Sequence, residues 1–126
     1  MVVMIDDDDD TLEIYQLLIE KTSYAEYFVT HNNPYQALEW LKDCAANPSS
    51  FPRYILLDLN MPELNGIEFV QKFEQEIDYA NLNTEIVVLT SSVRDRDQRE
   101  ALSYASVSQF VSKPLAKDQL IEFLSS

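Results

Sequence analysis

Basic residues are scarce in this chain. Nine Lys and Arg stand against 22 Asp and Glu, a formal net charge of −13. Neutralising a phosphate backbone needs a basic face, so nucleic acid is a poor partner. An acidic membrane surface is disfavoured for the same reason, whereas a cation or a basic protein surface is favoured. With one cysteine, Cys44, no internal disulfide can form. Its apolar neighbours Ala37, Leu38, Leu41 and Ala45 place it on a helix in a structural role. The lack of disulfides fits a reducing compartment. No run approaches the ~18 apolar residues of a membrane-spanning helix. The start lacks the basic-then-apolar layout of a signal peptide. These absences point to a soluble, cytoplasmic protein with no membrane association.

Glycine and histidine are just as rare, one each: Gly66 and His31. His31 precedes Asn32-Asn33-Pro34 and reads as a loop residue. There is no repeat, and no low-complexity stretch except the aspartates from Asp6 to Asp10. What is abundant is apolar surface, 46% of 126 residues. That is enough for one domain with a proper core and argues against disorder despite the charge.

Short apolar runs alternate with longer amphipathic ones. The short runs are Val2-Val3-Met4-Ile5, Tyr27-Phe28-Val29, Tyr54-Ile55-Leu56-Leu57, Ile86-Val87-Val88-Leu89 and Phe110-Val111. Three of them are continuous and rich in Val, Ile or Leu, as parallel strands covered on both faces read. Helical patterns cover residues 10–22, 34–46, 66–78, 94–105 and 115–124. Asp10 with Glu13 suggests a capping box, and Asn33-Pro34 a first turn. Val70, Phe73 and Ile77 form one stripe with Phe69 beside it. Trp40 reads as partial core. Five strands and five helices in strict alternation give an α/β domain, a parallel sheet with helices on both faces.

In such a sheet the site forms beyond the carboxyl ends of the strands. The first apolar run ends in Asp6-Asp7, the third in Asp58, the fourth in Thr90-Ser91-Ser92. The fifth leads through Ser112 to Lys113-Pro114. Three carboxylates, a hydroxyl and an ammonium thus reach one edge. Clustered carboxylates repel and raise a pKa unless a cation is present. Oxygen-only ligands suit a hard ion such as Mg²⁺. Lys113 suits a phosphoryl oxygen or a carboxylate, and Thr90 can donate to a phosphoryl oxygen. Asp58 can act as a nucleophile and form an aspartyl phosphate.

Four motifs occur in order. They are Asp6-Asp7, the run Leu57-Asp58-Leu59-Asn60-Met61-Pro62-Glu63-Leu64-Asn65-Gly66, Val88-Leu89-Thr90-Ser91-Ser92, and Phe110-Val111-Ser112-Lys113-Pro114. In this set, over essentially the whole chain, the sequence resembles the CheY-like receiver domains of two-component response regulators. The resemblance implies a (βα)5 doubly wound, flavodoxin-like sheet of order 2-1-3-4-5. It implies a single receiver domain over residues 1–126, with no output domain in this chain. Asp58 matches the phosphoacceptor. Asp7 matches the direct ligand of Mg²⁺ (or Mn²⁺), with Asp6 acting largely through water and Asn60 contributing its backbone carbonyl. Thr90 matches the switch hydroxyl and Phe110 the aromatic switch. Lys113 matches the lysine that pairs with the site, and its bond to Pro114 is expected to be cis. Gly66 is expected in a turn of positive φ.

The implied function is a phosphoacceptor switch of a phosphorelay. A sensor histidine kinase or a histidine phosphotransfer protein supplies the phosphoryl group. Thr90 and Phe110 then relay the change to the fourth helix, fifth strand and fifth helix, and so to a downstream protein target. The chain would process only the phosphoryl group on its own side chain. The donor histidine belongs to a separate protein and is not His31.

The aspartate run divides accordingly. Asp6 and Asp7 form the metal pair, Asp8 is either near the ion or merely solvated, and Asp9 and Asp10 face a helix dipole. An EF-hand fails, because no register offers a glycine at loop position 6. Ala105-Ser106-Val107 stands where many receivers have Ala-Gly-Ala, so the usual left-handed helix stop is missing there. Asn60 and Ser92 match positions that tune the lifetime of the phosphorylated state. Arg94 to Glu100 reads as a solvated helix start with an Asp95–Arg99 pair, or as part of the output surface. Two alternatives stand beside the switch. One is a receiver-like interaction module that is never phosphorylated. The other is a Mg²⁺-dependent aspartyl-phosphate phosphatase of the haloacid-dehalogenase type, which would need an acid where Asn60 stands.

Overall fold

The computed structural model describes residues 1–91 and 94–126. Ser92 therefore lies outside the described residues. Five parallel strands alternate with five α-helices: β1 Val2–Ile5, α1 Asp9–Ile19, β2 Phe28–His31, α2 Pro34–Ala45, β3 Tyr54–Asp58, α3 Gly66–Glu76, β4 Glu85–Thr90, α4 Asp95–Leu102, β5 Val107–Ser112 and α5 Lys117–Ser125. The spatial order is β2-β1-β3-β4-β5, the doubly wound order expected.

Alternation along the strands divides the core in two. Val3, Ile5, Ile55, Leu57, Ile86 and Val88 face α2, α3 and α4, where they meet Leu38, Leu41, Phe69, Phe73 and Ala101. Val2, Met4, Leu56, Val87 and Leu89 face α1 and α5 and meet Leu12, Tyr15, Ile19 and Leu120. Both faces of β1, β3 and β4 are therefore dry, which is why their sequences are continuous apolar runs rather than alternating ones. The stripe Phe69, Val70, Phe73 and Ile77 is buried as its spacing predicts.

Several local expectations need correction. The N-cap of α1 is Asp8, not Asp10: its carboxylate accepts from Asp10 N–H at 3.0 Å and from Thr11 Oγ1 at 2.9 Å. Asp9 and Asp10 occupy the first turn, where negative charge meets the dipole favourably. α1 stops at Ile19, short of residue 22, because Thr22 bends back and gives both its N–H and its hydroxyl to the Ile19 carbonyl. His31 is not in a loop. It ends β2 opposite Ile5, half-buried, with its ring 5.0 Å from that of Trp40. The helix predicted over 94–105 ends at Leu102, and no Asp95–Arg99 ion pair forms among the described residues. α5 begins at Lys117, so Leu115 belongs to the preceding loop.

Asn33 caps α2 as its sequence suggests, accepting from Tyr35 and Gln36 N–H with Pro34 in the first turn. Asn65 caps α3 in a reciprocal box with Glu68. Gly66, however, is the first residue of α3 and has no positive φ; neither has any other described residue. Its requirement is space. A Cβ there would sit 2.8 Å from the Leu59 Cα and 3.0 Å from the Asp58 carbonyl oxygen.

Candidate functional site

β1 and β3 lie side by side at the centre of the sheet, in register from Val2 with Tyr54 to Ile5 with Leu57. The chain reversal after each strand therefore releases Asp6 and Asp58 next to one another. Both are nearly closed off from solvent, 3% and 5% exposed, while Asp7 is open. One carboxylate oxygen from each of Asp6, Asp7 and Asp58 lies within 4.8 Å of the others. β5 ends at Ser112, beside Thr90 in β4, and the next residue folds over the carboxylates. Lys113 Nζ stands 2.9 Å from Asp6 Oδ2 and 3.3 Å from Asp58 Oδ1. The Lys113-Pro114 bond is cis, as expected.

The backbone around the site is tied down. Asp6 N–H donates to the His31 carbonyl, and Lys113 N–H to the Thr90 carbonyl at 2.8 Å. Asp8 N–H donates to Asp6 Oδ1 at 2.9 Å, and Asn60 N–H to Asp58 Oδ1 at 3.2 Å. Thr90 is fully buried, and its Oγ1 accepts from the Asn60 side-chain amide at 3.2 Å. The sequence reading gives Asn60 a metal-binding carbonyl and a place that tunes the phosphorylated lifetime, but not this side-chain link to Thr90. The visible signal was an amide two residues beyond the strand-end aspartate. Asp8, expected either near the ion or in solvent, caps α1 instead. Phe110 stays outside the cluster, half-buried on β5 opposite Val88 and packed on the α2–α3–α4 core.

Burial raises the Asp58 pKa above its ordinary 3.8, and the adjacent Asp6 charge pushes it further; Lys113 only partly offsets them. Burial alone would lower the Lys113 pKa, but its hydrogen bond to Asp6 and the pull of both carboxylates hold the ammonium above its ordinary value. The donor set is all oxygen, over-acidic for one ammonium, and open to solvent at Asp7. That fits a hard divalent cation that keeps some of its waters.

A stability prediction follows from the sign of the Asp58 shift. A carboxyl whose pKa is raised on folding binds its proton more tightly in the folded state. It therefore contributes stability at low pH and loses it as pH rises from 3.8 through the folded value. Asp58→Asn should melt higher than the parent at pH 7 in chelator. We expect about 3–6 °C, roughly 1 kcal/mol for a chain this long after solvent screening at the open rim. The difference should close below about pH 4. Thermal melts at both pH values check it.

The fold and the sequence both have known relatives. The family model described as the response regulator receiver domain matches residues 2–125. The chain belongs to the response regulator receiver domain family. The receiver is 31% identical to ARR13 of Arabidopsis thaliana over 94% of its length. It is 21% identical over 99% of its length to DivK, a polar-differentiation response regulator of Brucella anthropi, of which it spans 93%. Several curated relatives are far longer, the chain spanning 17% to 52% of their length. Among solved structures, a two-component response regulator from Cytophaga hutchinsonii superposes with a TM-score of 0.82 at 30% identity, covering 98% of this chain and 92% of that one. Receiver domains are signalling domains rather than classical enzymes. They interact with histidine kinases or phosphotransfer proteins and with downstream targets. Among the described residues, no helix is long and apolar enough to cross a membrane.

Proposed function

We propose that the receiver is a phosphoacceptor switch in which Asp58 takes a phosphoryl group from a partner's phosphohistidine. The observation that carries this reading is the convergence on one strand edge of a buried carboxylate, a second carboxylate and a shared lysine, with Asp58 3.3 Å from the Lys113 ammonium. An Asp58 oxygen bonds to phosphorus as the phosphorus–nitrogen bond breaks, and the electron pair leaves with the donor's imidazole. Little covalent work is left for the protein beyond positioning and charge neutralisation. Asn60 N–H orients the attacking carboxylate, and the Lys113 ammonium faces the incoming phosphoryl oxygens. Mg²⁺ or Mn²⁺ held by Asp6, Asp7, Asp58 and the Asn60 carbonyl would supply the remaining charge neutralisation.

Thr90, held by the Asn60 amide, is the hydroxyl that moves onto the phosphoryl group. Phe110 then repacks, and the face built from α4, β5 and α5 changes its affinity for a downstream protein. This requires two arrangements separated by only a few kcal/mol. Residues 1–126 act as one receiver domain in the cytoplasm, and the chain's net charge of −13 disfavours nucleic acid and membrane as partners of this domain.

Intact mass after incubation with acetyl phosphate tests the reading. One phosphoryl gain that requires both Mg²⁺ and Asp58 is the expected result. A gain that survives Asp58→Asn, or no gain from either acetyl phosphate or a phosphorylated histidine phosphotransfer protein, overturns it.

A further inference from the structure

The stretch after Lys113 is anchored by one buried side chain, Leu115, but its backbone has few hydrogen-bond partners. On its N-terminal side the Lys113 N–H is bound by the Thr90 carbonyl at 2.8 Å. On its C-terminal side Pro114 has no N–H, and Ala116 N–H is already taken by the Gln119 side chain that starts α5. Between these points the Leu115 carbonyl accepts a buried hydrogen bond of 2.9 Å from the Tyr15 hydroxyl, 100 residues away in sequence. Tyr15 is only 7% exposed and sits on α1 between the buried anchors Leu12 and Ile19.

The same helix holds the other partner of the lysine. α1 opens at the Asp8 cap, whose backbone N–H fixes Asp6 Oδ1, while Asp6 Oδ2 receives the Lys113 ammonium. One rigid element thus fixes the Asp6 end of the ion pair at its N-terminus and the Lys113 loop two turns later. Burial also pushes the Tyr15 phenol up, so the hydroxyl remains a donor at neutral pH.

We propose that Tyr15 is a positioning residue for Lys113: its hydroxyl, given to the Leu115 carbonyl, ties the Lys113–Leu115 stretch to α1 and holds the ammonium between Asp6 and Asp58. The consequence for phosphoryl acceptance rests on the switch reading above. The consequence for where Lys113 sits does not.

Tyr15→Phe removes the hydroxyl and keeps the ring. Ile19→Val, which removes one methylene from a fully buried neighbour on α1, is the control for mere loss of stability. The first readout is the Cε resonance of Lys113 in ¹³C-lysine-labelled protein. It should move toward the position of exposed lysines in Tyr15→Phe and stay in Ile19→Val. The second is the saturated rate of phosphoryl acceptance from acetyl phosphate, well below both melting points. It should fall about tenfold in Tyr15→Phe, since small displacements of a charge-bearing group cost that much or more. It should fall no further when Tyr15→Phe is added to Lys113→Ala. A Lys113 resonance unmoved by Tyr15→Phe overturns the proposal whether or not the parent chain accepts phosphate. So does an equal rate loss in the presence and absence of Lys113. If the parent accepts no phosphoryl group while the resonance moves as expected, the positioning role stands and the switch reading fails.

Discussion

Gly66→Ala should destabilise the receiver by about 2–3 kcal/mol, near the upper end of what one added methyl costs. Alanine is normally the better helix former, by up to about 1 kcal/mol in a helix interior, so propensity alone predicts the opposite sign. Backbone conformation raises no objection either, because Gly66 has no positive φ. The cost is steric and falls on backbone. The new methyl would meet the Leu59 Cα at 2.8 Å and the Asp58 carbonyl oxygen at 3.0 Å. A flexible side chain could swing aside; these atoms cannot, because Leu59 N–H is bound to the Leu89 carbonyl and the Leu59 carbonyl takes Gly66 N–H at 2.8 Å. Relief therefore requires α3 to lift away from the end of β3. That movement disturbs the turn leaving Asp58, so the phosphoryl gain seen by mass should slow along with the loss in urea midpoint. Equal midpoints for the two proteins would show that the close approach is relieved without cost.

Gly66 also shows what kind of information a sequence carries. Its importance was legible, since one glycine in 126 residues following Asn65 stands out. Its reason was not, because a tight turn and a close backbone approach both select glycine, and only the placement of β3 against α3 separates them. The strands and the acidic edge were legible for a simpler reason. Burial on both faces imposes continuous apolar runs, and each run must end in the polar residue that meets solvent, so Asp6, Asp58, Thr90 and Lys113 announce themselves by position. The cap of α1 was obscured by its surroundings. Five identical aspartates give no composition signal for which of them folds back, and the choice of Asp8 follows from where β1 ends. The Asn60–Thr90 and Tyr15–Leu115 bonds join residues 30 and 100 positions apart, and no local pattern encodes such pairings.

The turn from α4 into β5, Ala105-Ser106-Val107, contains no glycine, and Glu74 fastens it by a side-chain contact. Among the described residues the turn has no left-handed residue to close it. Instead Ser106, 6% exposed, gives its N–H at 2.9 Å and its hydroxyl at 2.6 Å to the same Glu74 oxygen. A neighbouring bond from the Gln71 amide to the Tyr104 hydroxyl, at 2.7 Å, fastens α3 to the turn a second time. The Ser106 carbonyl in turn accepts Ile86 N–H at 2.9 Å, beside the register shift between β4 and β5. Glu74→Ala would leave a buried N–H and a buried hydroxyl without their acceptor. Each bond to a charged acceptor contributes about 1.5–3 kcal/mol, and an unmet buried donor is costly in itself. Water entering beside half-buried Glu74 recovers part of this, so we expect a loss of about 2–4 kcal/mol in urea unfolding. Glu74→Gln keeps a carbonyl acceptor in place and should lose less than half as much. Amide exchange should locate the damage, with Ser106 and Val107 exchanging faster while the β1 and β3 amides keep their protection relative to global unfolding. Since Val107 begins the strand that carries Phe110, a loosened turn should also, on the switch reading proposed above, weaken the link between the Asp58 edge and the α4–β5–α5 face. Uniform loss of protection across all five strands would instead mean that the Glu74 contact belongs to the global core and does not act on this turn.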